Sequence, residues 1–237
     1  VVFAACFLLC YVIQKISRWF LGVAFDMTFL ESAPIVNMVE HISFILVFGL
    51  WYNWGLKKFR YAGESIKKVT LPRNLVGVIV LTLGVIFFIN GAMNLIVPHL
   101  PREVLETYRE LSETVEGEGN MVANFTGSFL APIGEELACR GVIFYYAKKA
   151  VSGMKHPTAA FWIANGVQAF FFGLMHMNLL QGTYAFILGM VLGYMAHHFK
   201  SILPAMLGHF LFNAVSSFAM DPISSVLPES NAVYGVI

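Results

Sequence analysis

The chain has 237 residues, of which 58% are hydrophobic, 15% aromatic and 12% charged, with net charge +1 and mean hydropathy +0.71. Soluble domains carry roughly 25% charged residues, so this composition excludes an ordinary water-soluble domain and a disordered chain. A charge balance this close to zero supplies no field for nucleic acid, and no nucleic-acid partner is expected.

The apolar runs are continuous rather than alternating, which points to membrane-spanning helices and away from a transmembrane β-barrel. Spans of about 20 apolar residues are needed to cross a bilayer. The first is read over residues 1 to about 25. Lys15 and Arg18 interrupt it, so it is either a truncated span with an interfacial end or a span followed by a surface helix. The chain does not open on Met, which suggests a fragment or processed chain, and no signal peptide is read at its start. Residues 34–56 form the second span, with Glu40 and His41 near its start, and residues 75–97 form a clean third.

The connection 98–122 reads as an amphipathic helix. Pro101 suits its first turn, and Val104, Tyr108, Leu111 and Val115 share a face. It either lies on the bundle or bilayer surface or acts as a lid. Residues 125–147 form the fourth span and carry Glu135, Glu136 and Arg140. The fifth runs from 158 to about 176, the sixth over 182–198 and the seventh over 202–220, with His209 and Asn213. In the sixth, Ala185, Gly189 and Gly193 make a small-residue stripe suited to close helix packing within the protein. Cys6, Cys10 and Cys139 form no CxxC pair and read as buried hydrophobes. The expected fold is all-α: a polytopic membrane helix bundle of about seven transmembrane helices plus one amphipathic helix. It forms one membrane domain, with N-terminal helices and connection over 1–120, motif-bearing helices over 121–220 and a tail over 221–237.

Charge orients the spans. Lys57, Lys58, Arg60, Lys67, Lys68 and Arg73 crowd one loop, Lys148, Lys149 and Lys155 a second, and Lys200 a third. Alternation puts all three on one side, which the positive-inside rule makes cytoplasmic. The acidic connection 98–122, with Arg102 and Arg109 as its cations, falls on the other side. His197, His198 and Lys200 read as a solvated cytoplasmic end.

Ionisable residues inside a bilayer cost roughly 2.5–3.5 kcal/mol each on insertion scales and mark functional sites by default. Here they gather in three late spans. Glu136 and Arg140, four apart, share a helix face and can pair as a structural ion pair. Glu135 is turned by about 100° from that face, which leaves its carboxylate for proton transfer. Pro132 and Gly134 just upstream suggest a break or helix start. The fifth span ends on Phe172-xxx-His176, and the seventh carries His209-xxx-Asn213 on one face. A carboxylate and a histidine can deprotonate water, while a second histidine and an amide can stabilise an oxyanion. That is equipment for amide hydrolysis. The same Glu135, His176 and His209 could instead hold a divalent metal such as zinc with a bound water as nucleophile. Glu40 and His41 either line the same cavity or lie at the interface. Straight spans would leave His176 and His209 more than about 10 Å apart along the membrane normal at 1.5 Å per residue, so tilt, a broken fourth helix or a displaced fifth span must bring them together.

Glu-Glu-xxx-Arg, Phe-xxx-His and His-xxx-Asn, in this order on successive membrane helices, resemble the CAAX protease and bacteriocin-processing family (CPBP, or Abi), which includes the type II CAAX prenyl endopeptidases. The resemblance covers residues 135–213. It implies an intramembrane endopeptidase, glutamic or metallo, in which Glu135 and His176 activate water. His209 and Asn213 would form the oxyanion site, Glu136 and Arg140 would support it, and Phe172 would pack it. The implied partners are the lipid bilayer and a membrane-anchored peptide or protein substrate. That substrate would be a prenylated tail in a eukaryotic or archaeal setting, and a bacteriocin, peptide pheromone or membrane protein in a bacterial one. The location would be the endoplasmic reticulum or the cell membrane accordingly. The alternatives are a non-catalytic membrane scaffold or immunity protein of the same fold and a proton-coupled transporter, against which no inverted repeat is found.

Overall fold

The computed structural model describes residues 2–55, 71–106 and 121–215. Among them every element is helical. In chain order these are α1 (Val2–Phe25), α2 (Phe29–Leu50, continued by a π turn Trp51–Gly55) and α3 (Pro72–Ile96, closed by a 3-10 turn Val97–His99). There follow α4 (residues 121–150), α5 (Pro157–Met175), α6 (Leu179–Phe199) and α7 (Leu203–Val215). Residues 102–106 are also helical, while the rest of the expected amphipathic helix, with Tyr108, Leu111 and Val115, lies outside the described residues. So do most of the basic loop 57–73 and the tail.

Among the described residues, five helices are long and apolar enough to cross a membrane: Leu8–Phe25, Glu31–Trp54, Pro72–His99, Pro157–Met175 and Leu179–Phe199. The chain is therefore an all-helical, multi-pass membrane protein. Large apolar side chains such as Trp19, Val23, Trp54, Phe87, Phe88 and Leu95 face outward, as lipid requires. The other two expected spans do not count among the five for different reasons. α7 has 13 described residues. α4 is helical throughout but changes pitch: Met121–Phe125 and Ala131–Glu136 are α-helical, Thr126–Leu130 and Leu137–Ile143 are π-helical, and Phe144–Ala150 is α-helical again. The break suggested by Pro132 and Gly134 is thus a change of pitch beside a proline that lacks an N–H to donate, not an unwound loop.

The described chain forms two compact units. Unit 1 comprises residues 2–55 and 121–168, and unit 2 comprises 71–106 and 169–215, with α5 passing from one to the other after Gln168.

In unit 1, α1 is one helix through both of its cations. Lys15 lies over the Tyr11 ring at 5.0 Å. Arg18 lies over the Phe29 ring at 3.8 Å and donates to the Phe29 carbonyl at 3.0 Å. Long basic side chains reach polar and aromatic partners without ending an apolar helix, so no separate surface helix forms. Thr28 then caps α2: its side chain accepts from the Glu31 N–H at 3.3 Å while the Glu31 carboxylate accepts from the Thr28 N–H at 2.8 Å. α2 packs on α1 and along the first four segments of α4.

In unit 2, α3, α6 and α7 pack on one another. α3 is apolar all round and buries one stripe, Val78, Thr82, Val85, Ile86, Ile89 and Met93, at helical spacing. The Thr82 hydroxyl in that stripe donates to the Val78 carbonyl at 2.8 Å, so its burial leaves no orphan donor. Asn178 caps α6 by accepting from the Gln181 N–H at 3.0 Å. Lys200 closes it in the left-handed conformation, φ 51°.

Candidate active site

Glu135 and Glu136 lie at the end of the middle α-helical segment of α4 and point to different neighbours. Glu136 is fully buried and accepts from Arg140 Nη1 at 2.6 Å; Arg140 is 1% exposed. The i,i+4 spacing is realised as a charge-assisted bond inside the protein. Glu135 turns instead toward α2, where its Oε1 lies 3.5 Å from Nε2 of His41, both side chains 15% exposed. The other ring nitrogen of His41, Nδ1, lies 2.9 Å from the Asn37 carbonyl one turn back. Beside His41, Glu40 accepts a hydrogen bond from the Gln14 side chain of α1.

This approach of α2 to α4 depends on the residue before Glu135. A Cβ on Gly134 would lie 3.0 Å from Phe44 Cβ and 3.4 Å from the His41 carbonyl oxygen. Glycine at this position therefore lets the backbone of α2 come close enough for His41 to reach the carboxylate.

In unit 2, Phe172 joins two of the expected site residues. Its buried ring is 5.1 Å from the His176 ring and 5.3 Å from the His209 ring, edge-to-face with both at 89° and 85°. His176 and His209 thus pack against the same ring. Phe172 is seated by the small-residue stripe of α6: a Cβ on Gly189 would fall 3.1 Å from Phe172 Cδ1 and from Ala169 Cα. The stripe is thus internal packing. Nδ1 of His176 lies 2.9 Å from the Phe172 carbonyl. A carbonyl only accepts, so Nδ1 carries the hydrogen and Nε2 is the basic nitrogen of the neutral ring. His209 is 2% exposed, and Asn213 lies one turn further along α7, half-buried. Met177, next to His176, holds φ 54° at the turn into α6. With Asn178, Leu179, Glu103 and Val104 it lines a cavity of about 260 Å³.

Two contacts do not follow from the sequence alone, although His41 was among the residues that could line the cavity. One is the contact of His41 with Glu135; its signal was two ionisable residues in apolar spans, one of them following a glycine. The other is a buried amide pair on α5, Gln168 Nε2 donating to Asn165 Oδ1 at 2.8 Å with both residues fully buried. A metal would need several nitrogen, oxygen or sulfur donors converging at about 2 Å. Among the described residues neither unit by itself gathers three His, Cys, Asp or Glu side chains in that way. Cys10 and Cys139 are buried.

These features define a polytopic helical membrane protein that carries acid and base groups within its apolar helices. Residues 118–215 match the family described as type II CAAX prenyl endopeptidase Rce1-like. The family implies a peptidase and a membrane-associated peptide substrate. No curated protein and no solved structure matches the chain.

Proposed function

We propose that this protein is an intramembrane endopeptidase that hydrolyses a peptide bond in a membrane-anchored or prenylated peptide or protein. The observation that carries this reading is the family match over residues 118–215, because that segment contains all three motifs. Glu135 and His176 are the bases. One water proton passes to Glu135, the hydroxide oxygen adds to the scissile carbonyl carbon, and the C–N bond breaks as the proton passes on to the leaving amine. His209 and Asn213 donate to the oxyanion of the tetrahedral intermediate. Glu136 and Arg140 neutralise each other and so keep a second buried charge from opposing proton uptake at Glu135. The packing of both imidazoles on Phe172 supports a common role for His176 and His209.

The test is peptide cleavage read by mass spectrometry, with purified protein and Glu135→Gln each incubated with prenylated and unprenylated membrane peptides. Cleavage by the wild type and none by the variant is expected. Equal cleavage by both removes Glu135 from the mechanism. No cleavage by either folded protein favours a scaffold, immunity or transport role. The same assay after chelation separates water activation by Glu135 and His176 alone from activation through a metal held by Glu135, His176 and His209.

A further inference from the structure

Two buried side chains of α4 depart from a pattern that the other helices keep. Elsewhere, hydroxyls within helices donate to a carbonyl of their own helix one turn back. Ser17 donates to Ile13 at 2.8 Å, Ser32 to Phe29 at 3.1 Å, Ser43 to Glu40 at 2.7 Å, Thr82 to Val78 at 2.8 Å and Thr183 to Leu179 at 2.7 Å. Thr126 and Ser128 do not. Both are 0% exposed, and among the described residues neither hydroxyl has a hydrogen-bond partner. They lie in the π turn Thr126–Leu130, where the Ala131 N–H reaches back to the Thr126 carbonyl. Pro132 then withdraws one backbone donor from the turn, because it has no N–H. A hydroxyl left without a partner in apolar surroundings is costly, and a water with two to four polar partners removes that cost.

The π turn shares a seam with Glu135. α2 packs along it. α2 and α4 run in the same direction, because Gly134 faces His41 and Phe44 while Gly141 faces Tyr52. Asn37 is half-buried and stands one turn before His41 on the same face of α2, so it lies on the π-turn side of Glu135. Ser128 and Glu135 are about 10 Å apart along the axis at 1.5 Å per residue. About three waters at ~2.8 Å spacing span that distance.

We propose that the π turn of α4 is a water-binding site inside the span: the hydroxyls of Thr126 and Ser128 hold ordered water, and this water feeds Glu135. The proposal rests on the reading of Glu135 as the base that receives a proton from water. Hydrolysis consumes one water for each bond cut, and hydrocarbon holds none to hydrogen-bond. The supply therefore needs polar side chains along its way. Thr126 and Ser128 touch the water before it reaches the scissile bond and touch no substrate atom.

The experiment has two readouts. The first is solid-state NMR of wild type labelled with 13C-threonine in liposomes, following magnetisation passed from water to each threonine. Thr126 is the signal lost in Thr126→Val. It should receive magnetisation nearly as fast as exposed Thr158, while Thr82, buried but bonded to Val78, should receive little. No transfer to Thr126 overturns the water site, and this result does not depend on any variant being active. The second readout compares wild type, Thr126→Val, Ser128→Ala and Glu135→Gln in one detergent, with whichever peptide the wild type cleaves. Valine matches threonine in shape, so the loss of the hydroxyl is read alone. Thr126→Val should lower kcat about 3- to 10-fold, the scale of one lost hydrogen bond, with KM within about twofold. Its thermal midpoint should stay at or below that of the wild type. A raised midpoint would mean that the hydroxyl had no partner of any kind, and it overturns the site. Wild-type kcat in both hydroxyl variants, beside an inactive Glu135→Gln, overturns the supply of water to Glu135 and leaves the functional reading standing. An active Glu135→Gln removes the functional reading, whatever the NMR shows at Thr126.

Discussion

A single buried charge decides much at the residue scale. Glu136 and Arg140 are 0% and 1% exposed and lie 2.6 Å apart, so the ion pair is held wholly inside the protein. Removing one partner leaves a charge stranded away from water, at a cost of about 3–5 kcal/mol. Removing both together costs far less, because two apolar or amide side chains need no counter-charge. Arg140→Met should therefore lower the thermal unfolding midpoint in detergent sharply, and Arg140→Met with Glu136→Gln should recover most of the loss. A double variant as unstable as Arg140→Met alone would show that the pair does not act as a unit. Glu135, the neighbouring residue, does not share this fate, since the 100° step along the helix turns it to α2 and His41. Two adjacent carboxylates thus meet different partners: one is held by a guanidinium and the other faces an imidazole.

Close approach between helices sets the geometry at the scale of the element. In unit 2 the ends of α5 and α6 touch through backbone: a Cβ on Gly173 would lie 2.5 Å from the Gly182 carbonyl oxygen, which no rotamer change can relieve. Gly166, two turns earlier on α5, has nothing within 4 Å of its would-be Cβ. Gly173→Ala should destabilise the protein by about 1–3 kcal/mol through overpacking, whereas Gly166→Ala should stabilise it by up to about 1 kcal/mol through helix propensity. Thermal unfolding of the two variants checks both signs, and equal effects would contradict the packing. The positions of the helices were readable in the sequence because continuous apolar runs mark them, while their starts at Pro72 and after Asn178 came from the structure. Pitch was not readable: nothing in the residue pattern of a span distinguishes α from π turns, so the π-helical stretches of α4 emerged only from the structure. The site was half legible. Glu135, His176, His209 and Asn213 stand out as ionisable or amide groups in apolar helices, and Glu136 and Arg140 by their spacing. The partner of Glu135 did not stand out, because a contact between α2 and α4 depends on the approach that Gly134 permits, and that is a tertiary fact.

At the scale of the whole molecule, charge asymmetry and the length of α4 bear on the same question. Ten of the basic residues fall in segments 57–73 and 148–155 and at Lys200, and six of the acidic ones in segment 98–122. The positive-inside rule then assigns the first set to the cytoplasmic face and the second to the opposite face. That assignment requires the chain to cross the membrane between residue 106 and residue 152, and α4 is the element available. Its pitch changes kept it from counting as one apolar span, yet residues 121–150 are helical throughout and would reach about 45 Å at 1.5 Å per residue. Even with the shorter rise of π turns, this exceeds the ~30 Å hydrocarbon core. Glu106 and Ser152 flank α4 and are both exposed, so cysteine placed at each reports the face on which it lies. In a Cys6→Ala background, with Cys10 and Cys139 buried, a membrane-impermeant maleimide applied to intact cells should label Glu106→Cys. It should label Ser152→Cys only after permeabilisation. Labelling of both from the same side would mean that α4 does not cross and that Glu135 does not sit within a span. The reverse pattern would keep α4 as a span and overturn the orientation that the loop charges assign.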